Sequence, residues 1–92
     1  MRSQKTRRRV SRQDVKALAD AIAKEIIHWC YHHSGGPVYE CLIHHIRFTD
    51  YNMHVPKEYW ELYQRVLRSR KKTDDLDRAV ETKLRKAAAK LK

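Results

Sequence analysis

Hydrophobic residues recur at intervals of three and four along most of the chain, and this period predicts helices. The longest stripe consists of Val15, Leu18, Ala19, Ile22, Ile26, Trp29, Cys30 and His33. Ser11 precedes it and Asp14 follows three residues later, a spacing typical of a helix N-terminal cap. The segment from Ser34 to Pro37 ends the stripe, because its two glycines allow a left-handed backbone and its proline favours a new first turn.

Three shorter stripes follow this turn. A second helix is predicted over Pro37–Ile46, with an inward face of Tyr39, Leu42, Ile43 and Ile46. Residues 48–55 show no clear period, and we predict a loop there. Pro56 opens a third helix, which runs into the basic sequence 68–72 and has an apolar side of Tyr59, Leu62, Tyr63, Val66 and Leu67. Thr73 is the predicted cap of a fourth helix, whose stripe is Leu76, Val80, Leu84, Ala87 and Leu91.

Together the stripes predict an all-α fold, a small bundle of about four helices over residues 14–92 with a disordered basic arm over residues 1–13. A chain of 92 residues with 2 glycines and 2 prolines fits one helical domain better than a sheet. The longest uncharged stretch, residues 26–39, holds three histidines and a turn, so no membrane span is predicted. We expect an intracellular protein, cytoplasmic or nucleoid-associated. The thin core leaves a homodimer as an alternative to a monomer.

Positive charge is concentrated in two parts of this pattern. The chain carries 21 Lys and Arg against 11 Asp and Glu, a net charge of +10. Residues 1–13 hold six basic and no acidic side chains, and residues 51–72 hold six basic and two acidic ones. Clustered cations of this kind are typical of proteins that bind a phosphate backbone, because each contact releases a condensed counterion.

We therefore predict a small nucleic-acid-binding protein, with DNA favoured over RNA, that acts as a transcriptional or replication regulator. The predicted contacts lie in the arm and at the C-terminal end of the third helix: Arg2, Lys5, Arg7, Arg8, Arg9, Arg12, Arg65, Arg68, Arg70, Lys71 and Lys72. Backbone contact is preferred to base reading, because a recognition helix starting at Pro56 would present Glu58 and Glu61 to the phosphates. An RNA-packaging or ribosome-associated protein would use the same chemistry.

The alternative is a protein-binding module or inhibitor from a mobile element or phage. Such a protein would dock on an acidic surface of a host complex that handles nucleic acid. Tyr51 and Trp60 lie off the apolar stripes and would be its anchors, because Tyr, Trp and Arg are enriched at the centres of protein interfaces.

Both cysteines and five of the six histidines fall within residues 28–45. Cys30 and His33 are three residues apart, as are Cys41 and His44, and the turn between the pairs would bring them together. The result would be a Cys2His2 set suited to tetrahedral Zn²⁺. The alternative, which we favour, places the cysteines in the core, leaves His33 and His44 partly buried, and exposes His28, His32 and His45.

No cofactor is expected on this second interpretation, and the thiols are expected to be reduced. A bridge between Cys30 and Cys41 is not predicted, because disulfides are rare in reducing compartments. We also expect no enzymatic activity. Cys41 and His44 could form a nucleophilic pair, but the sequence supplies neither a glycine-rich oxyanion loop nor paired carboxylates in an apolar setting.

Overall fold

The computed structural model describes residues 10–33, 35–48 and 51–91. Within these ranges the chain forms four α-helices: α1 (Arg12–His32), α2 (Val38–Phe48), α3 (Trp60–Leu67) and α4 (Arg70–Ala89). Two 3₁₀ turns, Asn52–His54 and Lys57–Tyr59, connect α2 to α3. The described ranges contain no strand, which confirms the predicted all-α bundle. None of these helices has both the length and the hydrophobicity that crossing a membrane requires.

The start of α1 follows the sequence prediction. The Ser11 hydroxyl accepts a hydrogen bond from the backbone N–H of Asp14 at 3.1 Å, and the Asp14 carboxylate accepts one from the Ser11 N–H at 2.9 Å. This reciprocal pair satisfies two amide groups that a helix start would otherwise leave exposed. Further along, α2 begins one residue after Pro37 and continues two residues beyond the predicted end, to Phe48.

The predicted start of the fourth helix is wrong. Ser69 caps α4, because its hydroxyl accepts from the backbone N–H of Lys72 at 3.2 Å. The Thr73 hydroxyl instead donates to backbone carbonyls within the turn, those of Val66 at 3.2 Å and Ser69 at 2.9 Å. Thr73 and the acids after it resemble a cap in composition, but Ser69 supplies a cap four residues earlier. The cations at positions 70–72 therefore form the first turn of α4 and not the end of α3.

The core lies between α1, α2 and α4, with α3 packed against α4 and α1. Each predicted stripe supplies residues to it, and the large fully buried side chains are Leu18, Ile22, Ile26, Leu42, Val66, Leu76, Val80 and Leu84. The stripe ends are less buried than predicted, since Trp29, His33, Leu67 and Leu91 are exposed. In the last turn of α4, Ala88 is buried and Ala87 is only partly so.

Contacts along α1 and α4 fix their relative direction. The first turns of α1 and α4 border the same groove, and further along Asp20 of α1 forms a salt bridge with Lys83 of α4. The two helices therefore run in the same direction, and their N-termini lie at the same end of the bundle. A helix carries partial positive charge at its N-terminus, so the starts of α1 and α4 both contribute positive potential at this end, while the C-terminus of α3 just before α4 contributes the opposite sign.

Candidate functional site

The predicted nucleic-acid contacts divide into a part that the structure describes and a part that it does not. Residues Arg2, Lys5, Arg7, Arg8 and Arg9 of the predicted arm lie outside the described residues. Arg12 is the first residue of α1, and Val10 before it is partly buried against the core. The basic segment is therefore joined directly to the electropositive end of the bundle.

Four cations from the two parallel helices border one groove at that end. The groove has a volume of about 620 Å³ and is lined by Arg12, Val15 and Lys16 of α1 and Lys71, Lys72, Asp75 and Ala79 of α4. Among the described residues of this lining Asp75 is the one carboxylate, so the formal charge of these residues is strongly positive. The salt bridges found among the described residues, Lys83–Asp20 and Arg85–Glu81, involve none of the four cations.

The first turn of α4 differs in charge from the first turn of α1. In α1, Asp14 occupies the third helical position and completes the cap. In α4 the third position holds Lys72, and the first turn contains three cations and no acid. Cations near a helix N-terminus oppose the macrodipole, at a cost of about 0.3–1 kcal/mol each on an exposed surface. An anion bound in the groove would relieve this opposition.

The remaining described cations of the predicted site lie near the groove in sequence but do not line it. Arg65 belongs to α3, Arg68 follows its last residue, and Arg70 is the exposed first residue of α4. Lys16, by contrast, lines the groove and was missed by the sequence prediction. It could have been found from its position one helical turn after Arg12.

The two predicted protein anchors have different outcomes. Tyr51 is only 3% exposed, so it is a core residue and the prediction of a surface anchor is wrong. Its hydroxyl has no hydrogen-bond partner among the described residues. Burial, followed by the nearby carboxylates of Asp77 and Glu81, raises the pKa of the Tyr51 phenol above its usual range. Trp60, at the start of α3, is 45% exposed and remains a candidate anchor.

The expectation of reduced cysteines is also wrong for this structure. Cys30 of α1 and Cys41 of α2 form a disulfide, with their Cα atoms 5.7 Å apart. The hairpin between the helices brings these atoms into the range that a disulfide requires. The sequence prediction rested on the redox compartment and gave too little weight to this geometry.

The histidine beside the cysteines is His45, not His33 or His44. It is 8% exposed, although the sequence predicted exposure. Its Nδ1 atom lies 3.9 Å from Sγ of Cys41, 4.0 Å from Sγ of Cys30 and 2.9 Å from the carbonyl oxygen of Cys41. The sequence signal was the four-residue spacing from Cys41, which places the two side chains on one face of α2 just as a three-residue spacing does.

His33 and His44, the histidines of the less favoured zinc set, pack elsewhere. Both are exposed, so the favoured interpretation, which had them partly buried, is wrong at these positions. His33 stacks on Trp29 with ring centroids 4.9 Å apart, and His44 contacts Phe48 at 4.7 Å. His45 instead faces His54, whose Nε2 atom lies 3.2 Å from its own Nε2. The 3₁₀ turn Asn52–His54 supplies His54, and no spacing in the sequence predicted this position for it.

A pocket of about 620 Å³ adjoins this cluster at the end of the molecule where α1 meets α2. Its lining includes Cys41 and five histidines, His28, His33, His44, His45 and His54. Imidazoles can bind metal ions or exchange protons near neutral pH. The pocket is thus chemically distinct from the basic groove.

Comparison with known protein families, curated proteins and solved structures finds no match to this chain. The groove between α1 and α4 and the cysteine-histidine cluster are therefore the features on which functional proposals are based.

Proposed function

We propose that this protein binds the phosphate backbone of nucleic acid, duplex DNA in the first instance, in the groove between α1 and α4. The observation that carries the proposal is the convergence of Arg12, Lys16, Lys71 and Lys72 on one groove. These residues come from two separate parts of the sequence, and folding brings four like charges together. Repulsion among them, offset in part by Asp75, favours the binding of an anion.

The helix N-termini support the same partner. Free backbone N–H groups and the macrodipole make a helix start a favourable place for phosphate. Here two such starts flank one groove, and α4 lacks the acidic residue that would otherwise complement its first turn. A phosphate would neutralise the cations and complement the dipole of α4, as Asp14 already does for α1.

The arm adds to this interface through its position in the sequence. Arg2, Lys5, Arg7, Arg8 and Arg9 precede Arg12 directly, so they join the bundle beside the groove. Arginine-rich arms attached to helical domains can follow a duplex groove next to the site where the domain binds. We propose that the arm extends the backbone contacts in this way.

Backbone contact also agrees with the location of the acidic residues near α3. Glu58 lies in a 3₁₀ turn and Glu61 in α3, and both are exposed. Neither lines the groove between α1 and α4. The proposed interface thus avoids the two carboxylates that argue against a recognition helix in this region.

The test is a binding titration against a duplex of mixed sequence, single-stranded DNA and structured RNA at several salt concentrations. If about five phosphate contacts form on duplex DNA, the logarithm of affinity falls with the logarithm of salt with a slope of about −4 to −5. The double variant Lys71→Ala/Lys72→Ala is expected to make this slope shallower by about 2. The matched control is Lys86→Ala/Lys90→Ala, which removes the same charge at the other end of α4. A flat salt response, or equal losses in both variants, contradicts the proposal.

Docking on an acidic protein surface is the second candidate, and the exposure of Trp60 favours it. On this alternative, Trp60→Ala weakens capture of the partner by about thirtyfold or more, as expected of a central aromatic anchor, whose loss costs about 2 kcal/mol or more. Nucleic-acid binding through the groove predicts unchanged DNA affinity for the same variant, since Trp60 does not line the groove.

A further inference from the structure

We propose that, after reduction of the disulfide, Cys30, Cys41 and His45 bind one Zn²⁺ ion, and that disulfide formation releases it. The cluster is independent of the nucleic-acid interface and supplies the ligand types that zinc prefers, two thiolates and an imidazole. Their three ligand atoms lie within 4.8 Å of one another. Cys30 is buried, and the other two are largely shielded from solvent.

The sulfur–nitrogen distances are close to those of a zinc site. With Zn–S bonds of about 2.3 Å and Zn–N bonds of about 2.0–2.1 Å, a tetrahedral site separates sulfur from nitrogen by about 3.6 Å. Nδ1 of His45 already lies 3.9 Å and 4.0 Å from the two sulfur atoms. Once the disulfide is reduced, two changes are required. The sulfur atoms separate to about 3.8 Å, the other edge of such a tetrahedron, and the His45 ring turns Nδ1 from the Cys41 carbonyl toward the metal.

His54 is a positioning residue in this proposal. In the disulfide form, Nδ1 of His45 donates to the carbonyl of Cys41, because a carbonyl oxygen only accepts. Nε2 of His45 then shares a hydrogen bond with Nε2 of His54, 3.2 Å away. When Nδ1 binds zinc, the hydrogen resides on Nε2 of His45 and is donated to His54. A metal-bound histidine commonly makes such a second hydrogen bond, which orients its ring.

The fourth coordination position faces the histidine-lined pocket, because Cys41 and His45 both belong to its lining. Water completes the tetrahedron there. Three protein ligands and an open position distinguish this site from the closed Cys2His2 set considered from the sequence, in which His33 and His44 would be ligands. The structure assigns those two histidines to the rim of the pocket.

A dithiol reductant transfers two electrons and two protons to the disulfide, giving two thiols and becoming a cyclic disulfide itself. Zn²⁺ then replaces the two thiol protons, which pass to solvent. In the reverse direction hydrogen peroxide takes two electrons from the thiolates and two protons from solvent, forming two water molecules. The sulfur atoms are joined again, and Zn²⁺ is released.

The test uses the full chain, reduced with dithiothreitol, desalted under argon and titrated with Co²⁺ as a spectroscopic probe for zinc. We expect one equivalent of tetrahedral Co²⁺ with a thiolate charge-transfer band, displacement by Zn²⁺, and no such band in the disulfide form. Adding peroxide to the zinc-loaded protein should release one Zn²⁺ per disulfide formed, measured with a chromogenic chelator. Equal binding by the oxidised and reduced proteins, or Co²⁺ binding without a thiolate band, overturns the proposal.

Three variants separate the ligands from their neighbours. His45→Gln should abolish tetrahedral Co²⁺ binding, and His54→Gln should weaken it about 10- to 100-fold, as expected for a residue that orients a ligand. The matched control His44→Gln alters the adjacent residue and should bind as the wild type does. Loss of binding in His44→Gln alone contradicts the assignment.

A second measurement covers the case in which His45→Gln loses its helical circular dichroism. X-ray absorption of the zinc-loaded wild-type protein should then show two sulfur neighbours and one imidazole nitrogen. A shell without sulfur, or with two or more imidazoles, overturns the assignment.

Discussion

Replacing Lys72 by glutamate should stabilise the fold and weaken nucleic-acid binding at the same time. Lys72 occupies the third position of α4, and its backbone N–H donates to the Ser69 hydroxyl. The variant would give α4 the arrangement that Ser11 and Asp14 already form at the start of α1. A glutamate at this position can also accept from the backbone N–H of the cap residue.

The stability change follows from two opposing contributions. Exchanging a cation for an anion in the first turn reverses its interaction with the macrodipole, worth about 0.3–1 kcal/mol for each charge. Asp75, three residues later, would repel the new carboxylate by about 0.2–0.5 kcal/mol. The net gain is about 1 kcal/mol, which raises Tm by about 4–8 °C in a domain of this size.

Affinity for duplex DNA should fall in the Lys72→Glu variant. Losing one phosphate contact makes the slope of log affinity against log salt shallower by about 1. At moderate salt we expect a loss of roughly tenfold, equivalent to about 1.4 kcal/mol. Thermal unfolding followed by circular dichroism measures the stability change, and fluorescence anisotropy of a labelled duplex measures the affinity.

Lys86→Glu is the charge-matched control, because it makes the same change in the last turn of α4. There an anion opposes the macrodipole, so Tm should fall, while DNA affinity should change less than in Lys72→Glu. Increased Tm with unchanged DNA affinity in Lys72→Glu would refute the groove as the binding site. A fall in both quantities would refute the helix-dipole reasoning.

Three further predictions concern the core and the disulfide. Tyr51→Phe should stabilise the fold by about 1 kcal/mol, because it removes a buried hydroxyl without a partner among the described residues. Tyr63→Phe should destabilise the fold by about 0.5–1.5 kcal/mol, because the Tyr63 hydroxyl donates a hydrogen bond to Asn52 at 2.7 Å. Both are measured by urea unfolding, and equal effects would contradict the assignment of partners. Reducing the disulfide between α1 and α2 should cost about 3 kcal/mol or slightly less and lower Tm by roughly 10–20 °C, whereas an unchanged Tm would contradict a structural role. Burial, followed by the charge of Asp74, raises the pKa of Asp77. The folded state therefore binds the proton of the Asp77 carboxyl more tightly than the unfolded state does. The stability that this group contributes falls as pH rises above about 4. Asp77→Asn should reduce this decline in unfolding free energy measured across the acidic range, and an identical pH profile would contradict the pKa direction.

The parts of the fold that the sequence predicted depend on local periodicity. The stripes of α1 and α4 needed only a hydrophobic spacing, and the cap at Ser11 needed only one turn of chain. The start of α4 was misplaced because two segments, one beginning at Ser69 and one at Thr73, have cap-like composition. Only the hydrogen bonds of the folded turn distinguish between the two segments, since the Thr73 hydroxyl donates to the backbone carbonyls of Val66 and Ser69 and does not cap the helix.

The candidate sites depend on how helices are placed against each other, which periodicity does not determine. The basic groove exists because α1 and α4 run in the same direction. Arg12 and Lys71 therefore line the same groove although they are far apart in sequence. The cysteine cluster shows the same limitation on a smaller scale. Spacing placed His44 and His45 equally well near Cys41, and the packing of α2 against the turn that contains His54 selected His45.

The two candidate sites lie at opposite ends of helix α1. Arg12 at the groove and Cys30 at the cluster are 18 residues apart on one helix, which corresponds to about 27 Å at 1.5 Å per residue. This exceeds three Debye lengths at physiological salt, where the screening length is about 8 Å. Zinc loading should therefore leave DNA affinity unchanged at about 0.15 M salt unless α1 itself is displaced. A change of several-fold, measured by anisotropy on the reduced protein with and without Zn²⁺, would show that the two ends are coupled through helix packing and not through charge.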